Sequence, residues 1–378
     1  MKQLGLLLHW YQPPWQYPEM LDRIVAECYR PLSQSLERHP VRCSLDICWS
    51  LVEQLLARGN DDVLTSLAAA ARLGHLEFVE TAAYHPILPL VPREVAARQL
   101  ALNYERNRAV FGRAYAPRGV FPPEMAYAPE LASLLTSLGY DWTVTEDVAI
   151  AVREGEPPIS QLLRAPSGLR VLLRSNRWSN AVAFGPHDGA RAAEAMAAEL
   201  RSRAGDGDAY LLLAMDGETF GHHRREYGTF VADFASWCAR TDDVEMASAS
   251  DIVAAFPVRE GEVPATSWSV LPGDVHAGLP YPLWDDGGEL HRAGWELLHL
   301  AWRLAMAQPA LHAEFDRAIS SCAFWWLSRS NWEPKLARRG FSMLVDVVRA
   351  SRESATLERA LALYDRICAG AAARSKAS

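Results

Sequence analysis

Five short apolar runs in this chain of 378 residues end in an acid or an imidazole. Asp216 closes the run Ala209–Met215 and opens Gly217-Glu218-Thr219-Phe220-Gly221. Glu124 follows Gly119–Phe121, behind Pro122-Pro123. His9 ends Leu4–Leu8, Glu77 and Glu80 lie on or just after His75–Val79, and Glu146 and Asp147 end Trp142–Thr145. One such residue alone is ordinarily a helix cap or a solvated turn acid. Glu124 and Asp216 stand apart because prolines stiffen the backbone before one, and glycines beside the other allow close approach. Two carboxylates facing one groove suit a nucleophile and an acid/base acting on a glycosidic bond.

Such residues need elements to hold them. Up to about residue 260, short β-rich runs alternate with amphipathic helical stretches. Strands are expected at Leu4–Leu8, Val41–Ile47, His75–Val79, Gly119–Phe121, Trp142–Thr145, Leu169–Arg174, Ala209–Met215 and Val244–Ala247. Helices are expected between them, among them Tyr29–Arg38, Arg93–Phe111 and Ala190–Arg203. This alternation implies parallel pairing by right-handed crossovers, which places chemistry at the C-terminal strand ends. Residues 263–286 are rich in Pro, Gly and Asp. After Glu289 only helical periodicity remains, as in Trp295, Leu298 and Trp302. The reading is an α/β barrel-like catalytic domain over residues 1–260. A loop-rich connector and a C-terminal helical domain follow over residues 261–378, with Ser375–Ser378 expected to fray.

Composition narrows the function. Lys plus Arg is 38 against 46 Asp plus Glu, so no basic surplus exists for nucleic acid. No apolar run is long enough for a signal segment or a membrane span. Six scattered cysteines without Cys-x-x-Cys read as buried thiols, which favours the cytoplasm. No His-Glu-x-x-His or His-x-x-x-His occurs, so neither a catalytic metal nor another cofactor is expected. The 13 tryptophans suit a site that stacks on sugar faces.

The motifs resemble those of glycoside hydrolase family 57. His9-Trp10-Tyr11-Gln12-Pro13-Pro14 is similar to its first motif, with two residues between His and Gln. Gly74-His75-Leu76-Glu77, then Tyr84-His85-Pro86-Ile87-Leu88-Pro89, resembles the second. Phe121-Pro122-Pro123-Glu124-Met125-Ala126-Tyr127 resembles the third, and Asp216-Gly217-Glu218-Thr219-Phe220-Gly221 the fourth. Arg174-Ser175-Asn176-Arg177-Trp178-Ser179-Asn180 and Leu283-Trp284-Asp285-Asp286 are further family-like stretches. The resemblance implies a (β/α)7 barrel followed by helices, with Glu124 as nucleophile and Asp216 as acid/base of a retaining α-glycoside hydrolase. It implies sugar contacts for His9, Gln12, Glu77, His85, Glu218 and Asp285. Trp10, Trp178, Trp268 and Trp284 are the expected stacking platforms, while Trp295, Trp302, Trp325 and Trp326 are expected in the core. The implied partner is an α-linked oligo- or polysaccharide; oligomeric state, linkage and the choice of glucose or galactose stay open. An α-glucan glycosyltransferase of the 4-α-glucanotransferase or branching type would use the same site. A glycan-binding relative without turnover is the non-enzymatic alternative.

Overall fold

A computed structural model describes residues 1–374 except His187 and Arg329. Ser375–Ser378 lies outside the described residues. The strands are β1 (Lys2–Trp10), β2 (Cys43–Ile47), β3 (Leu76–Val79), β4 (Gly119–Val120) and β5 (Trp142–Glu146). They continue with β6 (Leu162–Arg164), β7 (Arg170–Arg174), β8 (Ala209–Asp216), β9 (Val244–Ala247) and β10 (Val258–Glu260).

All nine residues of β1 are buried, as expected of a strand covered on both faces. Parallel pairing runs β3–β2–β1–β8 on one side and β4–β5–β7 on the other. A bridge from Glu80 to Val120 joins the two at one seam. At the other seam the Ser175 amide donates to the Leu212 carbonyl at 2.9 Å. Seven parallel strands thus curl into a (β/α)7 barrel. Outside it, β6 pairs antiparallel with β7, and β10 pairs parallel with β6. Neither outer strand was legible in the sequence, because each is three residues long. β9 takes the first half of one β1 edge, from Lys2 to Gly5, and leaves the second half, from Leu7 to Trp10, to β2.

The helix expected at Tyr29–Arg38 is longer. It begins at Pro18, widens to a π turn over Val25–Tyr29, and resumes as Arg30–Arg38. Such widened turns re-aim side chains and recur at functional sites. Beyond residue 260 the chain is helical, with Glu289–Ala307, Pro334–Ala350 and Ser354–Arg374 as the long members. Their apolar faces join the barrel's. Leu297, Phe324 and Phe341 belong to the same core as Val120, Ile150 and Val171, so the packing is continuous across the connector.

Candidate active site

Strand register places the first charged group. In β1, His9 sits beside Asp46 of β2 and beside Asp216 of β8. The three side chains form one row at the C-terminal ends of neighbouring parallel strands. Asp46 is fully buried, so its charge needs a partner. His9 Nδ1 provides it, 2.7 Å from Asp46 Oδ2. Burial raises the Asp46 carboxyl to about 6, against the pull of His9. Burial also works against a charge on His9. Asp46, Asp216 and Glu124 outweigh it and raise the imidazole to about 9. His9 is therefore a cation at neutral pH.

Glu124 reaches the site on a strained turn. After Pro122-Pro123 its backbone takes φ 61°, ψ 17°, and Met125 follows at φ 50°. Side-chain-bearing residues rarely enter this region, and backbone strain of this kind clusters at functional sites. The turn is held by Met125 N–H on the Pro122 carbonyl at 2.7 Å, and by Trp268 N–H on the Glu124 carbonyl at 3.1 Å. The carboxylate accepts from Trp268 Nε1 at 2.8 Å on one oxygen and from Ser321 Oγ at 3.0 Å on the other. Burial is the largest influence on its acidity. The His9 cation opposes it and Asp216 adds to it, leaving the carboxyl at about 7.

Asp216 ends β8 where the chain must pass close beneath its neighbours. A Cβ on Gly217 would lie 2.1 Å from the Trp10 indole nitrogen, and one on Gly221 would lie 2.3 Å from the Glu27 carbonyl. Glu218, two residues on, accepts from Gln12 Nε2 at 2.8 Å and from the Tyr29 hydroxyl. The π turn is what aims Tyr29 at it. Burial and the nearby Asp216 raise Glu218 to about 7.

One groove of about 560 Å³ opens here, at the top of the barrel. It gathers Glu124, Asp216, His9, Gln12, His85, Glu218 and Trp268. Five expected contacts lie elsewhere. Glu77 is near the start of β3 and accepts from Ser44 Oγ and the Ser250 amide, below the groove. The Trp10 indole packs on Tyr29 under Gly217, with no face open to a sugar. Trp178 is buried with Nε1 on Glu199, and Trp284 is buried in the core shared with the helices. Asp285 lines a separate cleft with Trp295 and His299. The groove also holds residues outside the set of expected sugar contacts. Trp325 and Trp326, expected in the core, line the groove. Phe184, 84% exposed, stands on its rim. Tyr11 stacks on His85 with ring centroids 3.9 Å apart. His223 lines the groove, whereas His222 turns away to Glu27 at 2.6 Å. Asp46 carried a signal, as a lone acid inside the apolar run Cys43–Ile47; Ser321 carried none.

A family model described as "Glycosyl hydrolase family 57" matches residues 8–264. The chain belongs to glycosyl hydrolase family 57. Its relatives in the family include an α-amylase of Pyrococcus horikoshii, 28% identical over 141 residues, covering 37% of this chain and 22% of that protein. A putative α-amylase of Methanocaldococcus jannaschii is 24% identical over 302 residues, covering 74% of this chain and 60% of its own length. The chain thus spans from about a fifth to three fifths of these two relatives. The structure of 4-α-glucanotransferase from Thermococcus litoralis superposes with a TM-score of 0.73 at 16% identity, over 92% of this chain and 60% of that one. At that identity the likeness speaks for the fold of this family 57 member. Among the described residues, no helix is long and apolar enough to cross a membrane.

Proposed function

We propose that this family 57 chain is a retaining α-glycosidase acting on α-linked glucans, with Glu124 as nucleophile and Asp216 as acid/base. The observation that carries the reading is the convergence of these two carboxyl groups on one aromatic-lined groove, from the ends of separate barrel strands. Glu124 attacks the anomeric carbon while Asp216 gives its proton to the leaving oxygen. Asp216 then takes a proton from water or a sugar hydroxyl, and the glycosyl–Glu124 ester is released. Trp268 Nε1 and Ser321 Oγ fix the attacking carboxylate, so its approach is set before substrate arrives. Burial holds the Glu124 carboxyl up at about 7, and the His9 cation pulls the other way, toward the ionised form. Trp325, Trp326 and Phe184 offer apolar faces on which successive sugars stack. The names of the relatives, α-amylase and 4-α-glucanotransferase, support α-glucan as substrate class. Hydrolysis and transfer share the intermediate and differ in what intercepts it.

The test uses maltooligosaccharides, amylose and activated α-glucosides. Wild type turns over, and the product ladder separates hydrolysis from transfer. Glu124→Ala loses turnover by about 10⁴-fold or more. Azide then restores release from the activated substrate as the β-glycosyl azide. A folded Glu124→Ala that yields no such product would falsify the assignment of nucleophile.

A further inference from the structure

A file of hydrogen-bonded groups runs through the groove wall from Asp46 to Glu124. Asp46 Oδ2 lies 2.7 Å from His9 Nδ1. His9 Nε2 lies 3.0 Å from His85 Nε2. His85 Nδ1 lies 2.8 Å from Ser321 Oγ, which lies 3.0 Å from Glu124 Oε1. Both nitrogens of each ring are committed within this file, and both histidines are buried. Strand β1 supplies one ring and the segment after β3 the other. The serine comes from the C-terminal helical region, where its amide is tied to the His85 carbonyl at 3.0 Å.

Donor counting allows two arrangements of the protons. In the first, His9 carries both ring protons and donates to Asp46 and to His85. His85 then donates through Nδ1 to Ser321, and Ser321 donates to an ionised Glu124. In the second, His9 Nε2 has passed its proton to His85 Nε2. The His85 Nδ1 proton has moved to the serine oxygen, and the serine proton has moved to Glu124. One proton leaves His9 and one arrives at Glu124, with His85 neutral at both ends. No intermediate group gains or loses charge.

We propose that Asp46, His9, His85 and Ser321 form a proton relay that sets the ionisation of Glu124, and that Ser321 is the positioning residue that closes it. The inference rests on the reading of Glu124 as nucleophile only for its effect on rate. Its geometry stands alone. The relay favours the first arrangement because Asp46 holds the charge on His9 and Trp268 Nε1 gives the Glu124 carboxylate a second donor. Burial and the neighbouring His9 cation both push His85 well below its ordinary range, in keeping with a neutral middle link. The titratable groups facing Glu124 are His9 from β1, His85 after β3, Asp216 from β8 and Cys322 beside the serine.

The experiment titrates Glu124 in the substrate-free full chain by its carboxyl infrared band, isolated by subtracting the Glu124→Gln spectrum. Ser321→Ala should move the midpoint up by about one pH unit, because the ionised form loses a donor and its link to His9. Ser321→Thr, which keeps the hydroxyl, should restore it. If Ser321→Ala does not fold, Ser321→Cys serves, its weaker donor giving a smaller upward move. Asp46→Asn should also raise the midpoint, and by less in the Ser321→Ala background than in wild type. The acid limb of kcat/KM should follow the same midpoints with KM changed less than about two-fold. An unmoved midpoint in Ser321→Ala overturns the relay. So does an Asp46→Asn effect of equal size in both backgrounds, since that is the signature of a field acting through space. A wild type without turnover defeats the glycosidase reading, but leaves the infrared result to judge the relay.

Discussion

The two walls of the groove are built by different physics. The barrel wall places its charged groups by register: His9, Asp46 and Asp216 share a row because parallel strands align them. The helical wall has no such lattice. It touches Glu124 through the buried Ser321 and lines the groove with Cys322, Trp325 and Trp326. The first wall holds carboxylates and imidazoles, and the second mostly a hydroxyl and indoles. On the proposed function, one wall reacts and the other holds and tunes.

That contrast breaks most sharply at Asp216. Asp216→Asn should slow glycosides with poor leaving groups by about 10²–10⁴-fold, and activated substrates far less in the glycosylation step. Equal losses on both substrate types, measured by pre-steady-state release, would mean that this barrel residue is not the proton donor. A second effect, from the cost of burying charge, falls on the barrel. Glu80 is buried, with donors in Asn103 and Tyr115, yet burial raises it to about 8. An acid whose folded value lies above its unfolded value binds protons more tightly when folded. Its contribution therefore falls as pH rises from its unfolded value, near 4.5, through 8. Denaturant midpoints should decline over that window, and Glu80→Gln should flatten the decline. A slope unchanged in the variant would show that Glu80 is not its source. The smallest effect falls on the helical wall. Trp325→Ala and Trp326→Ala should each raise KM for long maltooligosaccharides by roughly 10-fold, from the lost apolar contact, and spare kcat. A fall in kcat alone would place these indoles among the groups that act in the transition state.

The same contrast explains what was legible in the sequence. Strand runs such as Leu4–Leu8 and Ala209–Met215 announce themselves by composition. The strand-end rule then points to His9, Glu124 and Asp216 before any contact is known. It also nominates Glu77, whose place near the start of β3 puts it at the wrong end of the barrel. Trp325 and Trp326 were read as core because indoles at helical spacing usually are. Both do pack against the helical core, but each also lines the groove, and only tertiary packing fixes that second role. Trp10 and Trp284 show the reverse error, since motif neighbours need not share a face with the motif. Ser321 is a small polar residue between helices, and no local pattern separates it from others of its kind.

The continuous core has a consequence for biosynthesis. A polypeptide leaving the ribosome presents β8, and with it Asp216, about a hundred residues before Ser321 emerges. At roughly 5–20 residues per second, that interval lasts about 5–20 s. Throughout it, Val120, Ile150 and Val171 lack the helices that share their core, and Glu124 has no hydroxyl beside it. The newborn chain thus exposes apolar surface until these helices arrive. Translation speed downstream of β8 sets how long it remains so.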